Sequence, residues 1–413
     1  MQHKVLCLLL AIALLIGATA CTGDKEDGTM KDSATTTTGT TQSAVTPDDT
    51  KYAKFRQGLN NTYAKLTAEK ELTIAYIGGS ITAGASAQPV KENCYRALTT
   101  AWFKKQFPDA KITEINMGIG MAGSKLAAYY VKSEVVPKKP DLVFVECAIN
   151  DYIERKTVTL EEVEAQYETI IRQLRTADPT CDIVALYTTN ADVTAKDEFY
   201  EQSATQDAIA AHYGILSINI GRELRMTRGL REGRRNGELT DAWRKVFADD
   251  VHPNNDGHQF YADSIAGVLK TALLTNAAAK NPAVTPYTLP AAKSKALLMD
   301  VQYITADKID LSASPNWVYD AETGSIRATK TDSELTFTFT GTDLHFNCTG
   351  LPWGDVARAS YSVDGGEWVT LQPCMIRAVP IVKGLSQGTH TIRFKSGYSD
   401  AGTPFSIAAL MVK

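Results

Sequence analysis

The stretch Ile74-Ala-Tyr-Ile-Gly-Gly-Ser-Ile-Thr82 indicates how this chain folds. It starts as a short apolar run, as buried parallel strands do, and a helix-compatible segment follows it. Gly78 and Gly79 permit a tight turn, so we expect the hydroxyl of Ser80 just beyond the end of the strand. A serine after two glycines is weak evidence by itself, because ordinary turns show it too. The stretch is also not a Gly-x-Ser-x-Gly elbow, since position 82 is Thr.

Strands and helices alternate downstream of this stretch. Short apolar strands are predicted at residues 72–77, 111–116, 141–147, 182–187 and 215–220. Helices are predicted at residues 94–107, 160–176, 196–212 and 257–274, and apolar spacing at Phe55, Leu59, Tyr63 and Leu66 suggests a first helix. This alternation predicts a doubly wound parallel α/β sheet, whose ligands bind beyond the carboxyl ends of the strands. Ser80, Asn116 and Asn150 are expected there.

The pattern changes to a period of two near the C-terminus. Residues 334–340, 359–363 and 390–394 alternate strictly between apolar and polar, and Asp364-Gly-Gly366 is a hairpin signal. We therefore predict a β-sandwich or jelly-roll domain at residues 294–413. The remaining divisions are an α/β domain at 51–275, a linker at 276–293 and a polar, flexible tether at 21–50.

Residues 1–20 have the composition of a secretory signal. Lys4 precedes an apolar run that is too short to span a bilayer, and Ala18-Thr-Ala-Cys21 ends it with small residues. The cysteine in that position resembles a bacterial lipobox, in which Cys21 becomes the lipidated first residue. The alternative is ordinary signal cleavage with Cys21 incidental. We expect a lipid-anchored protein of the bacterial cell envelope, periplasmic or on the cell surface.

Composition and cysteine content exclude several classes of protein. The 413 residues are 44% apolar and 22% charged, as in soluble two-domain proteins, and the net charge of −4 argues against a nucleic-acid partner. The cysteines beyond Cys21 are scattered without metal-ligand spacing. Cys147 is predicted to be core packing, whereas Cys348 and Cys374 are candidates for a disulfide bond.

Asp249-Asp-Val-His-Pro253 supplies a base and a group to orient it. A carboxylate three residues before His252 can fix the imidazole and stabilise its protonated form. Together with a serine hydroxyl, this pair provides the parts of an acyl-transfer site. Asp250 is a rival orienting group. His258 is a rival base, although a position at the start of the last predicted helix favours a capping or surface role.

Two further segments offer donors for a developing oxyanion. Residues 116–124, Asn-Met-Gly-Ile-Gly-Met-Ala-Gly-Ser, form a glycine-rich turn after the second predicted strand. Ala148-Ile-Asn-Asp151 closes the third. A main-chain N–H and an asparagine amide at strand ends are the donors that an oxyanion hole uses. Each segment by itself is equally consistent with a plain loop.

Taken in chain order, these four segments resemble the SGNH hydrolase superfamily, also called GDSL esterases and lipases. The resemblance covers residues 70–275 and implies a flavodoxin-like fold. It assigns Ser80 as nucleophile, Asp249 and His252 as its partners, and the N–H groups of Ser80 and Gly120 with the side chain of Asn150 as the oxyanion hole. Gly-Gly-Ser stands where most members have Gly-Asp-Ser. Gly120 and Met121 both remain candidates for the main-chain donor.

The resemblance implies a two-step acyl transfer that needs no metal or organic cofactor. With a secreted, lipid-anchored chain and a β-sandwich that resembles modules of carbohydrate esterases, the expected substrate is an acetylated or otherwise esterified polysaccharide. The expected activity is that of a carbohydrate acetylesterase. The alternatives are an esterase or lipase of other acyl substrates and a non-catalytic glycan-binding lipoprotein.

Two residue sets bear on substrate. Trp243, Trp353 and Trp368 are candidates for stacking on sugar rings, or else buried core. Arginines crowd residues 222–235 and form either a basic rim that attracts an acidic polysaccharide or a solvated face paired with nearby glutamates. Those arginines are Arg222, Arg225, Arg228, Arg231, Arg234 and Arg235, and the glutamates are Glu223, Glu232 and Glu238.

Overall fold

The computed structural model describes residues 52–194, 199–275, 283–347, 358–371, 377–398 and 402–413. The predictions for the signal segment, the tether, Cys21, Cys348, Cys374 and Trp353 therefore lie outside the described residues. Within the described ranges, none of the helices has the length and apolarity that crossing a bilayer requires.

A six-stranded sheet organises the N-terminal part of the described chain. Its strands are β1 (Ala53–Lys54), β2 (Glu71–Gly78), β3 (Lys111–Gly118), β4 (Leu142–Glu146), β5 (Asp182–Tyr187) and β6 (Leu216–Asn219). They lie in the order β1-β6-β5-β4-β2-β3, and all neighbours are parallel except β1 and β6. The predicted doubly wound α/β sheet is confirmed, with an antiparallel edge strand that the sequence did not reveal.

Helices connect and cover this sheet. They are α1 (Asn60–Ala64), α2 (Ser80–Ala83), α3 (Val90–Asn93), α4 (Tyr95–Gln106), α5 (Ser124–Tyr130), α6 (Ala148–Ile153), α7 (Leu160–Ala177), α8 (Glu201–His212), α9 (Ile220–Thr227), α10 (Asp241–Arg244) and α11 (Asn255–Leu269). Helices α1, α5 and α11 continue as π-helical turns at Lys65–Glu69, Val131–Val135 and Lys270–Thr275. A small hairpin, β7 (Arg234–Arg235) and β8 (Glu238–Leu239), precedes α10.

Local sequence explains where several of these elements begin. Helix α7 opens with a capping box, in which Thr159 and Glu162 satisfy each other's main-chain N–H groups. The predicted first helix begins at Asn60 rather than near Phe55, because residues 53–54 pair with β6 as an edge strand. Strand β4 is buried along its whole length, as expected for a strand covered on both faces.

The C-terminal part is built from antiparallel strands. They are β9 (Gln302–Thr305), β10 (Trp317–Asp320), β11 (Ser325–Ala328), β12 (Glu334–Gly341), β13 (Leu344–Asn347), β14 (Ser360–Val363), β15 (Val369–Thr370), β16 (Val379–Val382), β17 (Gly388–Lys395), β18 (Ser406–Ile407) and β19 (Ala409–Val412). They form sheets ordered β10-β11-β18, β12-β17-β14-β15 and β16-β13-β19-β9. Phe346, Ile392 and Phe394 belong to the apolar core that these sheets share. The predicted all-β architecture is confirmed.

The described end of the predicted linker lies against the α/β part. The side chain of Asn61 bonds to both main-chain groups of Thr285. Glu168, on α7, accepts the N–H groups of Lys293 and Ser294 at 2.8 and 2.7 Å. These contacts tie residues 283–298 to the helical layer before the first β-sandwich strand begins.

Strand β2 lies between β3 and β4, so the strand order reverses there. In open α/β sheets, ligands bind in the crevice at such a switch point, beyond the carboxyl ends of the strands. The turn after β2 carries Ser80, and the fold therefore places this serine at the expected crevice.

Candidate active site

A chain of hydrogen bonds joins Ser80, His252 and Asp249. Ser80 Oγ lies 2.8 Å from His252 Nε2, and His252 Nδ1 lies 2.7 Å from Asp249 Oδ2. The other carboxylate oxygen of Asp249 accepts the main-chain N–H groups of Val251 and His252 at 2.9 and 2.7 Å. The structure thus brings together a hydroxyl, an imidazole and a carboxylate that are about 170 residues apart in sequence at their extremes.

Asp249 is held in its charged form. Burial raises the pKa of this half-exposed carboxyl, but the hydrogen bonds from the side chain and N–H of His252 and from the N–H of Val251 outweigh it. The net result is a pKa below the ordinary value. An ionised Asp249 fixes Nδ1 as the protonated nitrogen of a neutral His252 and leaves Nε2 to accept the Ser80 proton.

The loop that carries Asp249 and His252 rests on a buried tryptophan. Trp243 is fully buried, stacks on Phe247 with ring centroids 3.7 Å apart, and donates its indole N–H to the Asp249 carbonyl at 2.6 Å. Trp243 is therefore not available to a sugar ring. Sequence reasoning did not find this supporting role, because nothing in the pattern around Trp243 distinguishes it from plain core.

The two rival residues have other partners. The carboxylate of Asp250 bonds to Arg234 at 2.8 Å rather than to an imidazole. His258 is fully buried, accepts the Tyr95 N–H on Nδ1 and donates from Nε2 to the Ala85 carbonyl. The expected capping or surface role of His258 was wrong. Helix α11 begins earlier than predicted, with Asn254 as its N-cap, so His258 lies inside the helix and faces α4.

We call residues 119–123 the oxyanion loop, because they contain both candidates for the main-chain donor. The loop leaves β3 with the Ile119 N–H bonded to the Gly78 carbonyl at 2.9 Å, and a turn closes between Ala122 N–H and the Ile119 carbonyl at 2.8 Å. Met121 occupies the left-handed region at φ 65°. The main-chain N–H of Gly120 has no acceptor among the residues that the structure describes.

Asn150 joins the oxyanion loop to the turn at residues 78–80 between β2 and α2, which we call the nucleophile turn because it contains the candidate nucleophile Ser80. Its Nδ2 donates to the Ala122 carbonyl at 3.0 Å. A Cβ built on Gly79 would lie 1.9 Å from the same nitrogen, so Asn150 packs directly on the glycine before Ser80. The side chain of Asn150 is buried, and Nδ2 carries a second hydrogen besides the one donated to Ala122.

Asp151, the residue after Asn150 on helix α6, bonds to residues of helices α5 and α8. Its carboxylate accepts the N–H and hydroxyl of Ser124 at 2.7 and 2.5 Å and the amide of Gln206 at 2.6 Å. Burial raises the pKa of Asp151 to about 7 against the opposing effect of these bonds. Helix α6, which carries Asn150, and helix α5, which follows the oxyanion loop, are therefore fixed relative to each other.

A second buried carboxylate, Glu146, lies beneath the nucleophile turn. At the end of β4 it pairs with Gly78 and accepts the hydroxyls of Thr188 and Thr82 at 2.7 and 3.0 Å and the Gly79 N–H at 3.4 Å. Burial raises the pKa of Glu146 to about 7, although these bonds oppose the shift. No sequence pattern pointed to Glu146, because a Glu at the end of an apolar strand suggests solvent exposure.

Three arginines of the arginine-rich segment have partners among the described residues. Arg234 bonds to Asp192 and Asp250, and Arg235 pairs with Glu232 at 2.8 Å. Arg225 is buried and donates to the Thr194 carbonyl. Among the described residues, Glu232 is the predicted glutamate partner that forms an ion pair with one of these arginines.

The remaining predicted residues are placed as follows. Cys147 is buried in the core, as expected, and Cys94 and Cys181 are buried free thiols. The ring of Trp368 lies beneath the cations of Arg393 and Lys395, at 5.1 and 4.4 Å from its centroid. Within the described ranges, no group of three or more His, Cys, Asp or Glu side chains is arranged to hold a metal ion.

A Ser-His-Asp hydrogen-bond chain of this kind recurs in hydrolases of several unrelated folds. Residues 76–260 match the GDSL-like Lipase/Acylhydrolase family, so the chain contains a domain of this family. The resemblance predicted from the four sequence segments is therefore confirmed. No curated protein matches the sequence.

Two solved structures have the same two-part architecture. One is a two-domain esterase, CEX, active on acetylated mannans and co-crystallized with mannopentaose. It has a TM-score of 0.69 and 20% identity, over 88% of this chain and 96% of that chain. A second structure of CEX gives a TM-score of 0.66 and 21% identity, over 88% and 97%. At this identity the likeness is one of fold, and it extends across both parts of the molecule.

Proposed function

We propose that this protein is a serine esterase that removes O-acetyl groups from a polysaccharide. The observation that carries the proposal is the hydrogen-bond chain from Ser80 through His252 to Asp249 at 2.8 and 2.7 Å. The family of residues 76–260 supports ester hydrolysis. The acetylated mannan on which the two-domain neighbour acts suggests the substrate class.

In the proposed first step, His252 accepts the Ser80 proton while Ser80 Oγ attacks the acetyl carbonyl carbon. The tetrahedral intermediate collapses as the bond to the sugar oxygen breaks and His252 gives its proton to that oxygen, so the sugar leaves with a free hydroxyl and an acetyl-serine remains. In the second step His252 removes a proton from water, the resulting attack releases acetate, and Ser80 is regenerated. Asp249 stabilises the imidazolium that forms in both steps.

The proposed oxyanion hole consists of the N–H groups of Ser80 and Gly120 and the Nδ2 of Asn150. Ser80 begins helix α2, so its N–H has no partner inside the helix. Asn150 contacts both the oxyanion loop that contains Gly120, at the Ala122 carbonyl, and the turn that contains Ser80, at Gly79. Removal of one such donor typically slows an acyl transfer by about 100- to 1,000-fold.

The first test measures acetate release from p-nitrophenyl acetate, acetylated mannan and acetylated xylan by the wild type and Ser80→Ala. Ser133→Ala is the matched control, because Ser133 is an exposed serine of the same domain. We expect hydrolysis of all acetyl esters to depend on Ser80, with acetylated mannan preferred to xylan. Activity on the small ester alone would keep the mechanism and reject the glycan. No Ser80-dependent activity in a folded protein would favour the glycan-binding lipoprotein.

The envelope location is part of the same proposal. The lipobox-like Ala18-Thr-Ala-Cys21 and the polar residues 22–50 support an enzyme tethered to a membrane by a lipid. Metabolic labelling with an alkyne fatty acid would show incorporation into the wild type and none into Cys21→Ala. Equal labelling of both proteins would reject Cys21 as the lipidated residue.

A further inference from the structure

We infer that the C-terminal β-rich part takes part in the proposed reaction through Arg377, which positions the oxyanion loop. The inference rests on the proposed function. Arg377 Nε donates a hydrogen bond to the Gly120 carbonyl at 3.0 Å. A Cβ built on Gly120 would lie 3.9 Å from Nη2, at ordinary van der Waals distance from the guanidinium. Arg377 lies 257 positions away in sequence.

This bond fixes the part of the oxyanion loop that the α/β domain leaves free. On either side, Ile119 bonds to Gly78 and the Ala122 carbonyl accepts the Asn150 amide. Among the described residues, the Gly120 carbonyl has no other donor than Arg377. Glycine rotates about its main-chain bonds more freely than any other residue. An external bond to its carbonyl therefore holds the peptide unit between Gly120 and Met121 and limits the main-chain rotations at Gly120, and so restrains the adjoining peptide unit that carries the Gly120 N–H.

The position of Arg377 is itself well defined. The next residue, Ala378, is buried in the apolar core of the α/β part, and its carbonyl accepts a hydrogen bond from Lys125 Nζ at 3.1 Å. Lys125 stands on α5 directly after the oxyanion loop. The Arg377–Gly120 and Lys125–Ala378 hydrogen bonds thus join the two parts of the molecule within the oxyanion loop and just after it. Strand β16 begins at the residue after Ala378.

The restraint on Gly120 also bears on the chemistry of the proposed oxyanion hole. A donor contributes to an oxyanion hole only when it is aimed at the position of the oxyanion, and small displacements reduce the rate strongly. Arg377 also places a positive charge beside the loop that would bind the developing oxyanion of the substrate. Arg377 is a positioning residue, since it acts through Gly120 and not on the reacting atoms.

The test compares Arg377→Met and Arg377→Lys with Arg327→Met, a matched change in the same β-rich part whose partner is Asp320. kcat and KM are measured on p-nitrophenyl acetate and on acetylated mannan, and Tm is measured for each variant. For Arg377→Met we expect kcat to fall about 10- to 100-fold on both substrates with KM within about twofold. Arg377→Lys retains the charge and should lose less, and Arg327→Met should match the wild type.

Kinetics on p-nitrophenyl acetate distinguish the positioning role of Arg377 from glycan binding, because this ester contains no sugar. If Arg377→Met raises KM for acetylated mannan and leaves kcat on p-nitrophenyl acetate unchanged, Arg377 is a sugar contact and the inference is overturned. Unchanged kinetics on both substrates overturns it as well. A rescue experiment distinguishes loss of the guanidinium group from misfolding. Guanidinium ions are added to Arg377→Ala, and recovery of kcat supports the inference. A wild type without Ser80-dependent hydrolysis would instead reject the proposed function, and this inference with it.

Discussion

At the scale of single residues, the arrangement of Asp249 shows how one carboxylate is selected over its neighbour. Asp249 and Asp250 are adjacent, but Asp249 turns both oxygens back on its own loop to meet the side chain and N–H of His252. Asp250 turns outward to Arg234. The local turn, and not residue type, decides which of them orients the base.

The pair therefore offers a matched comparison. Asp249→Asn removes the charge that stabilises the imidazolium and permits the wrong tautomer of His252, so we expect kcat to fall about 100- to 10,000-fold. Asp250→Asn should change kcat by less than about threefold. Steady-state kinetics on p-nitrophenyl acetate measure both. Equal losses in the two variants would contradict the assignment of Asp249.

Glu146 has a role in pH-dependent stability that its place in the sequence does not suggest. Burial raises its pKa from an ordinary 4.5 to about 7, so the folded protein holds its proton more tightly than the unfolded chain does. This contribution to stability is complete below pH 4.5 and is lost as the pH rises toward 7. Since one pKa unit is worth about 1.4 kcal/mol, the loss is of order 3 kcal/mol.

Glu146→Gln removes the titration. We expect the free energy of unfolding, measured with urea at pH 5 and pH 8, to fall less with rising pH in this variant than in the wild type, by about 3 kcal/mol. Glu92→Gln, at an exposed glutamate, is the control and should follow the wild type. Parallel pH dependence in the wild type and Glu146→Gln would contradict the prediction.

At the scale of elements, the turn between β2 and α2 leaves no space for side chains at its two glycines. A Cβ on Gly78 would lie 2.6 Å from the Glu146 carbonyl, and one on Gly79 would lie 1.9 Å from Asn150 Nδ2. The φ of Gly79 is −88°, which any residue adopts, so space and not conformation requires glycine at that position. The turn thereby fits closely against the end of β4 and against helix α6, which carries the proposed donor Asn150.

Gly79→Ala is expected to displace Asn150 and so to lower kcat about 100-fold or more, since Asn150 is a proposed oxyanion donor. Gly267→Ala is the control. Gly267 lies in helix α11, where alanine is favoured over glycine, and a Cβ built on it would lie 3.4 Å from Tyr52 Oη. Kinetics and Tm of the two variants distinguish the effects. Wild-type kcat in a folded Gly79→Ala would reject the close packing of Asn150 on this turn.

At the scale of the whole molecule, the α/β and β-rich parts share apolar core as well as hydrogen bonds. Met411 and Ala378, from strands and loops of the β-rich part, are buried with the core of the α/β part. Tyr129 Oη lies 3.4 Å from His345 Nδ1 across the same boundary. Such a boundary favours unfolding of both parts together.

We expect one cooperative transition in calorimetry, with the calorimetric enthalpy equal to the van't Hoff enthalpy. Met411→Ala should lower the Tm of that transition, because removal of a buried methionine side chain costs about 2–5 kcal/mol. Met226→Ala, at a methionine that is 46% exposed, should leave the Tm within about a degree. Two separate transitions in the wild type would contradict the prediction.

The sequence by itself determined the architecture and identified the candidates for the reacting groups. Apolar runs in alternation with helical patterns predict a parallel sheet, since period and burial are local properties of the chain. The strands predicted before Ser80 and Asn150 also predict that these two residues lie close together, because parallel strands end at one edge of the sheet. The antiparallel edge strand at residues 53–54 was missed, because two residues carry no periodicity.

Only the tertiary structure decided which residues support these groups. Glu146, Trp243 and Arg377 act through contacts with residues about 65, 6 and 257 positions away, and no local pattern marks them. Likewise, Asp250 and His258 have the chemistry of an orienting group and a base, yet their partners are Arg234 and main-chain groups. A sequence specifies which groups are present, whereas their pairing depends on distances that the folded chain alone sets.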